Sequence, residues 1–268
     1  MEEMLVVVID SGTGRSIPLL NQLKSIEGIR LHILEATMIR NLQDLENLGV
    51  EYSDLEAQKL LRRSLTFPEI GCASSHNQAR KLLSQSPNGG VVLEDDARIC
   101  DVLKFVQISK HFLLNLHEGS AVLNLSNTSP LQQRCDQSGD GRLYFRKLIS
   151  PSPLAVGYVC TSQAAVQLVR NNSPIQYVSD WPNKGVSFFS ASHELVHHGD
   201  GRTVSTIDPS QSSIRNRKSI FRSISILSGF DFVVYTFRFG LNFTYFREIW
   251  WKTLAHKVSF IRGRKYFV

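Results

Sequence analysis

Three adjacent carboxylates, Glu94, Asp95 and Asp96, follow directly on a short apolar run, Val91-Val92-Leu93. Neighbouring negative charges repel, so a fold that gathers them at a strand end holds something positive against them. Mg²⁺ and Mn²⁺ are hard ions that accept oxygen ligands and keep coordination positions for substrate phosphates. Such an ion suits transfer from a sugar nucleotide, where it offsets charge on the departing diphosphate. The competing reading is a solvated strand end neutralised by an arginine such as Arg98.

Other stretches carry chemical signals of their own. His193-Glu194-Leu195-Val196-His197 is formally H-E-x-x-H, which on a helix places two histidines and a glutamate as in zinc hydrolases. The sequence Gly199-Asp200-Gly201 would end such a helix at once, so zinc hydrolysis is not expected. A single histidine from this cluster as a further metal or phosphate contact fits better. Ser11-Gly12-Thr13-Gly14-Arg15 lacks the full phosphate-loop and dinucleotide patterns, but Arg15 stands at a strand-to-helix junction where it can meet a ligand phosphate. Asp10 after a strand resembles a phosphohydrolase nucleophile, although no second basic motif completes that assignment. His76 is read at the start of a helix, able to contact a phosphate or to orient a carboxylate; a satisfied buried histidine is the plainer alternative.

The elements that must position these groups follow from hydrophobic periodicity. Residues 4–9 (MLVVVI), 29–34 (IRLHIL), 90–93 (GVVL), 121–125 (AVLNL) and 154–159 (LAVGYV) read as strands. Helices are expected after Ser16 and Pro18, over 54–63, from a cap at Ser75 to Leu83, over 102–116, and after a cap at Thr161. The stretch SNTSPLQQRCDQSGDGR reads as a polar loop. Strands alternating with helices predict an α/β sandwich with a mainly parallel sheet, in which ligands bind at the carboxyl ends of the strands. The carboxylate cluster sits at such an end.

At 268 residues the chain has ample apolar content for a core. No run reaches the roughly 18 apolar residues of a spanning helix, and the N-terminus does not read as a signal peptide. Four scattered cysteines suggest neither a zinc ribbon nor a disulfide framework, and the cytoplasm is the default compartment. Charge is asymmetric. Residues 211–268 hold 11 Lys or Arg against 2 acids, whereas residues 1–210 hold 19 against 22. A basic, aromatic tail on a slightly acidic body predicts contact with a polyanion or an anionic surface. Residues 218–268 read as a membrane-association segment after a domain spanning 1–217, or else as a solvated basic face or aromatics packed against the α/β body. A nucleic-acid-binding protein using IRNRKSIFRS is the rival, but no recognised reading module accompanies it.

The pair formed by PEIGCASSH (68–76) and VVLEDD (91–96) resembles glycosyltransferase family 25, which has E-x-G-C-x-x-S-H followed by L-E-D-D at this spacing. Glu69, Gly71, Cys72, Ser75 and His76 match the first motif, and Leu93, Glu94, Asp95 and Asp96 the second. Ser74 stands where leucine is usual, and Ala36-Thr37-Met38-Ile39 diverges from the family's A-x-x-G region. Weaker likenesses are Arg15 after the first strand, residues 157–165, Asp180 and SSIRNR (212–217).

The resemblance implies a GT-A-like fold with a basic aromatic C-terminal extension, and an inverting transfer of a hexose, usually galactose. The donor would be a UDP-sugar and the acceptor a lipooligosaccharide or lipopolysaccharide. On this reading Glu94 and Asp96 hold Mn²⁺ or Mg²⁺, and Arg15, Glu69, His76 and Asp95 serve the donor. Asp95 holds the ribose or supports the cluster, Asp180 is the catalytic base, and His76 assists. The enzyme would sit at the inner face of a bacterial inner membrane, with no nucleic-acid partner.

Overall fold

The computed structural model describes residues 3–116, 119–126, 132–137, 143–148, 156–179 and 184–199. The basic tail (218–268) and Asp180 lie outside the described residues.

Strand β1 (Met4–Asp10) lies inside the sheet, one place from an edge. Its consecutive valines, Val6, Val7 and Val8, are fully buried, as a strand covered on both faces requires. On one side it pairs in parallel with β2 (Ile29–Glu35), on the other with β3 (Gly90–Glu94). Beyond β3 come β8 (Gly157–Cys160), β5 (Ala121–Asn124), β9 (Ser187–Ala191), β7 (Leu143–Leu148) and β6 (Gln132–Gln137), giving the order β2-β1-β3-β8-β5-β9-β7-β6. Strands β8 and β7 run against the other six. The sheet is thus mostly of one direction, with two antiparallel insertions that periodicity did not reveal. A separate two-stranded sheet joins β4 (Ala97–Ile99) to β10 (Val196–His198).

The pleat sorts the core into two layers. Val6, Val8, Val91 and Leu93 pack with Leu19 and Leu23 of α1 (Ile17–Lys24) and with Phe105, Ile108 and Phe112 of α5 (Val102–Leu116). Leu5, Val7, Ile9 and Val92 face the other way, against Ala79 and Leu83 of α4 (Phe67–Ser84) and Ala164, Ala165 and Leu168 of α6 (Ser162–Asn171). This is the expected α/β sandwich. A third cluster, including Ile39, Ala57, Ile70 and Ile175, seats α3 (Asp54–Leu61) beside the start of α4. The short α2 (Leu42–Asn47) precedes it.

Most predicted elements fall where the periodicity put them; α5 coincides with 102–116 and Thr161 caps α6. Three expectations change. Helix α4 begins at Phe67, capped by Thr66 and Glu69, with Pro68 in its first turn. Ser75 is therefore a mid-helix residue whose hydroxyl donates back to the Gly71 carbonyl at 2.9 Å. The supposed polar loop contains β6, paired with β7. The HELVH stretch is not helical, since its Val196 and His197 lie in β10.

Gly71 lets α4 approach the chain after β2. A Cβ there would lie 2.4 Å from the Thr37 carbonyl oxygen, and backbone cannot yield as a flexible side chain can. Gly71→Ala is expected to destabilise the protein by about 2 kcal/mol, a typical overpacking cost. Gly119→Ala, whose Cβ would meet nothing closer than 3.5 Å, serves as the control. Urea unfolding of both variants checks this; equal midpoints would refute the tight approach.

Candidate active site

The register Ile9↔Glu94 brings the carboxyl ends of β1 and β3 side by side. The Ser11–Ser16 connection into α1 therefore faces the carboxylate cluster, and each carboxylate meets a different partner.

Asp95 is 4% exposed, and both its oxygens are engaged. Arg15 donates from Nη2 to Oδ1 at 2.5 Å and from Nε to Oδ2 at 3.3 Å. Ser11 donates to Oδ2 from its backbone N–H at 3.3 Å and also from its hydroxyl. Both oxygens of this carboxylate are thus tied to the connection between β1 and α1. Arg15 is held in turn, since its carbonyl accepts from Arg98 Nη2 at 3.3 Å. The Arg15 Nη1 lies 3.9 Å from Asp96 Oδ2. Arg98 thus acts through Arg15 and the Ala97 carbonyl, 2.7 Å from its Nη1, and not as a direct counter-ion to a solvated strand end.

Asp96 meets β10. Pairing of His198 with Ala97 and a 2.6 Å hydrogen bond from Gly199 N–H to the Asp96 carbonyl fix the turn. His198 Nδ1 stands 3.4 Å from Asp96 Oδ2. Burial pushes the Asp96 carboxyl up, but the His198 bond and the charges of His198 and Arg15 outweigh it, and the net shift is downward. The same bond raises His198 above an ordinary imidazole, with burial opposing. Asp96 Oδ1 is different. It is buried with no hydrogen-bond partner among the described residues.

Glu94 meets α4. His76, 1% exposed, approaches Glu94 Oε1 through Nε2 at 3.0 Å and the Tyr158 hydroxyl through Nδ1 at 3.1 Å. Tyr158 stacks on the imidazole at 5.8 Å between centroids, and burial pushes its phenol up to about 12, so it stays protonated. His76 lies in the middle of α4 and not at its start. It is bonded to the Glu94 carboxylate, and it is also a buried histidine with a partner at each ring nitrogen. One helical turn earlier sits Cys72, and the Cys72, His76 and Glu94 ligand atoms lie within 4.8 Å of one another.

Glu69 does not join them. Its carboxylate accepts from Thr66 N–H at 3.0 Å and from Arg63 at 2.6 and 2.7 Å. Burial raises its carboxyl and Arg63 lowers it further, the net being downward. Seven residues separate Glu69 from His76, roughly 10 Å along the helix. Glu69, expected to serve the donor, here completes a capping box and is tied down by an ion pair with Arg63. His193 and His197 do not form a zincin face either, because β10 is extended; His197 Nδ1 instead lies 3.2 Å from Cys100 Sγ. His198, just beyond the H-E-x-x-H, is the histidine that reaches the carboxylates.

The residues present fit a hard divalent ion. Glu94 keeps a side chain 27% exposed, and a buried carboxylate oxygen without a donor, as at Asp96 Oδ1, is costly unless a cation or water satisfies it. Sequence reasoning missed Ser11 and Tyr158 as parts of the site. Tyr158 falls two residues before the end of a strand already recognised, and its odd polarity in a buried run was the available signal.

Residues 1–181 match glycosyltransferase family 25, described as LPS biosynthesis protein. Among curated proteins no match was found.

The Arg15–Asp95 bond makes a direct prediction. Arg15→Ala leaves a buried carboxylate without its cation and is expected to cost about 3 kcal/mol. Asp95→Ala on top of it removes the orphaned charge and should recover part of that loss. Denaturant unfolding of both single variants and the double variant measures the coupling; strictly additive losses would show that the two side chains do not depend on each other.

Proposed function

The chain belongs to glycosyltransferase family 25, and from that premise we propose that it moves a hexose, galactose, from a UDP-sugar to a lipid-linked oligosaccharide. Its role as a glycosyltransferase of lipopolysaccharide synthesis follows from membership; the donor, sugar, metal and stereochemistry are the proposal. The observation that carries it is the buried Asp96 Oδ1, which has no hydrogen-bond partner among the described residues, two residues along the chain from the part-exposed Glu94 that ends β3. Among described groups, these two best suit Mn²⁺ or Mg²⁺. The bound ion would supply charge neutralisation for the departing diphosphate.

The chain's own residues arrange the rest. Asp95 pins Arg15 at the mouth of the β1–α1 connection, where guanidinium N–H groups not taken by Asp95 can meet a phosphate. His76, held by Tyr158, fixes the Glu94 carboxylate. Asp180 is our candidate for the base that accepts the acceptor hydroxyl's proton in a single inverting displacement. It follows Ser179, whose carbonyl accepts from Arg80 Nη2 at 2.7 Å and whose hydroxyl lies 3.7 Å from Cys72 Sγ. The residue before the candidate base is thus packed against the helix that carries His76.

Asp96→Asn and Glu94→Gln are each expected to remove several kcal/mol of transition-state stabilisation, a fall of about 1,000-fold in kcat. Asp180→Asn should lower kcat with little change in KM. UDP-galactose turnover with Mn²⁺ and after chelation, alongside thermal unfolding, measures all three. Near-native turnover in folded Asp96→Asn and Glu94→Gln would overturn the metal assignment.

We place the enzyme peripherally on the inner face of the inner membrane. No helix among the described residues is long and apolar enough to cross a membrane. The support is the tail sequence, in which Phe243, Tyr245, Phe246, Trp250 and Trp251 interleave with basic residues, a composition suited to an interface. Each engaged basic residue is worth about 1 kcal/mol near an anionic surface. The full chain should therefore sediment with anionic vesicles at low salt and release at high salt. Failure to bind anionic vesicles at low salt would end this reading.

A further inference from the structure

We propose that Cys72, His76 and Glu94 form a second, softer metal site, suited to Zn²⁺, that shares Glu94 with the carboxylate pair. The sharing rests on the metal reading just given; the three-ligand site does not. Cys72 and His76 are four residues apart on α4, so both side chains project from one face, and β3 brings Glu94 to that face. All three ligand atoms already lie within 4.8 Å of one another. Around tetrahedral zinc, with bonds of about 2.0–2.3 Å, ligand atoms are separated by roughly 3.3–3.8 Å. The His76–Glu94 contact at 3.0 Å must open by a few tenths of an ångström, and the sulfur must close by up to about 1 Å, movements within the reach of side-chain torsions.

The donor set selects the ion. A thiolate and an imidazole favour zinc over Mg²⁺ or Mn²⁺, which prefer all-oxygen ligands. The Tyr158 hydroxyl orients the ring from behind: with Nε2 on the metal, Nδ1 carries the proton and donates to Tyr158 at 3.1 Å, the outer-shell bond that metal-binding histidines use. Binding displaces the Cys72 thiol proton to solvent. The Ser179 hydroxyl lies 3.7 Å from the sulfur. A zinc ion held here draws Glu94 toward α4 and away from Asp96, so that soft and hard ions compete through one carboxylate.

Co²⁺, which mimics zinc and is coloured, tests this on the full chain after chelation. One Co²⁺ per chain should produce a near-ultraviolet thiolate charge-transfer band with a tetrahedral visible spectrum, and Zn²⁺ should bleach both. Cys72→Ser should abolish the band, and Glu94→Gln should weaken Co²⁺ binding by about 100-fold or more, at least the loss seen for disturbed outer ligands. Asp96→Asn should retain it, which separates this site from the hard-ion pair: loss of turnover in that variant with an intact band supports both. In the unmodified chain, Zn²⁺ but not Mg²⁺ should slow alkylation of Cys72, read by mass spectrometry. A band that survives Cys72→Ser, no band at all, or Cys72 alkylation indifferent to Zn²⁺ would overturn the proposal.

Discussion

Three carboxylates in a row repel one another at a strand end unless each finds its own partner, and most of the site is organised around that constraint. Asp95 is neutralised by Arg15 from the connection after β1, Glu94 is met by His76 from α4, and Asp96 by His198 from β10. Three elements distant in sequence must therefore converge on three adjacent residues. Burying any one of these charges alone would be costly, so the cluster also acts as a test of whether the surrounding chain has been assembled correctly.

The three pairings differ in what they leave over. Arg15 and Ser11 use up Asp95, which becomes part of the framework. His76 leaves Glu94 partly exposed, and His198 addresses one oxygen of Asp96 while the other stays unpartnered. A motif that looks uniform on paper thus has its middle acid bonded at both oxygens and its last acid with one oxygen bare.

Much of this was legible in the sequence. The apolar runs located β1, β2, β3, β5 and β8, and the three- and four-residue spacing located α1, α3, α5 and α6. The carboxylates' position at a strand end was also correct. Misreadings arose where local and long-range signals competed. Thr66-Phe67-Pro68-Glu69 carries a capping box with proline in the first turn, and it outweighs Ser75, a residue type common at caps whose hydroxyl here bonds within the helix. Glu69, matched to a family motif, turned out to serve that cap. The β4–β10 pairing could not be foreseen, since three-residue strands show no period and Asp96 and His198 lie far apart in the chain. Strand β6 was hidden because an alternating pattern is weak in a polar stretch such as QQRCDQ.

The antiparallel placement of β8 bears on how the chain emerges from the ribosome. Strands β1, β2 and β3 are complete once residue 94 has been made and can pair at once as a local parallel unit. Strand β5 is synthesised next, but its neighbours in the sheet are β8 and β9, so both of its edges remain open until residues 157–160 appear. Pairings over such sequence separations are slow to form and leave edges exposed meanwhile. Strand β8 also carries Tyr158, so its docking between β3 and β5 brings the phenol to the buried His76 imidazole.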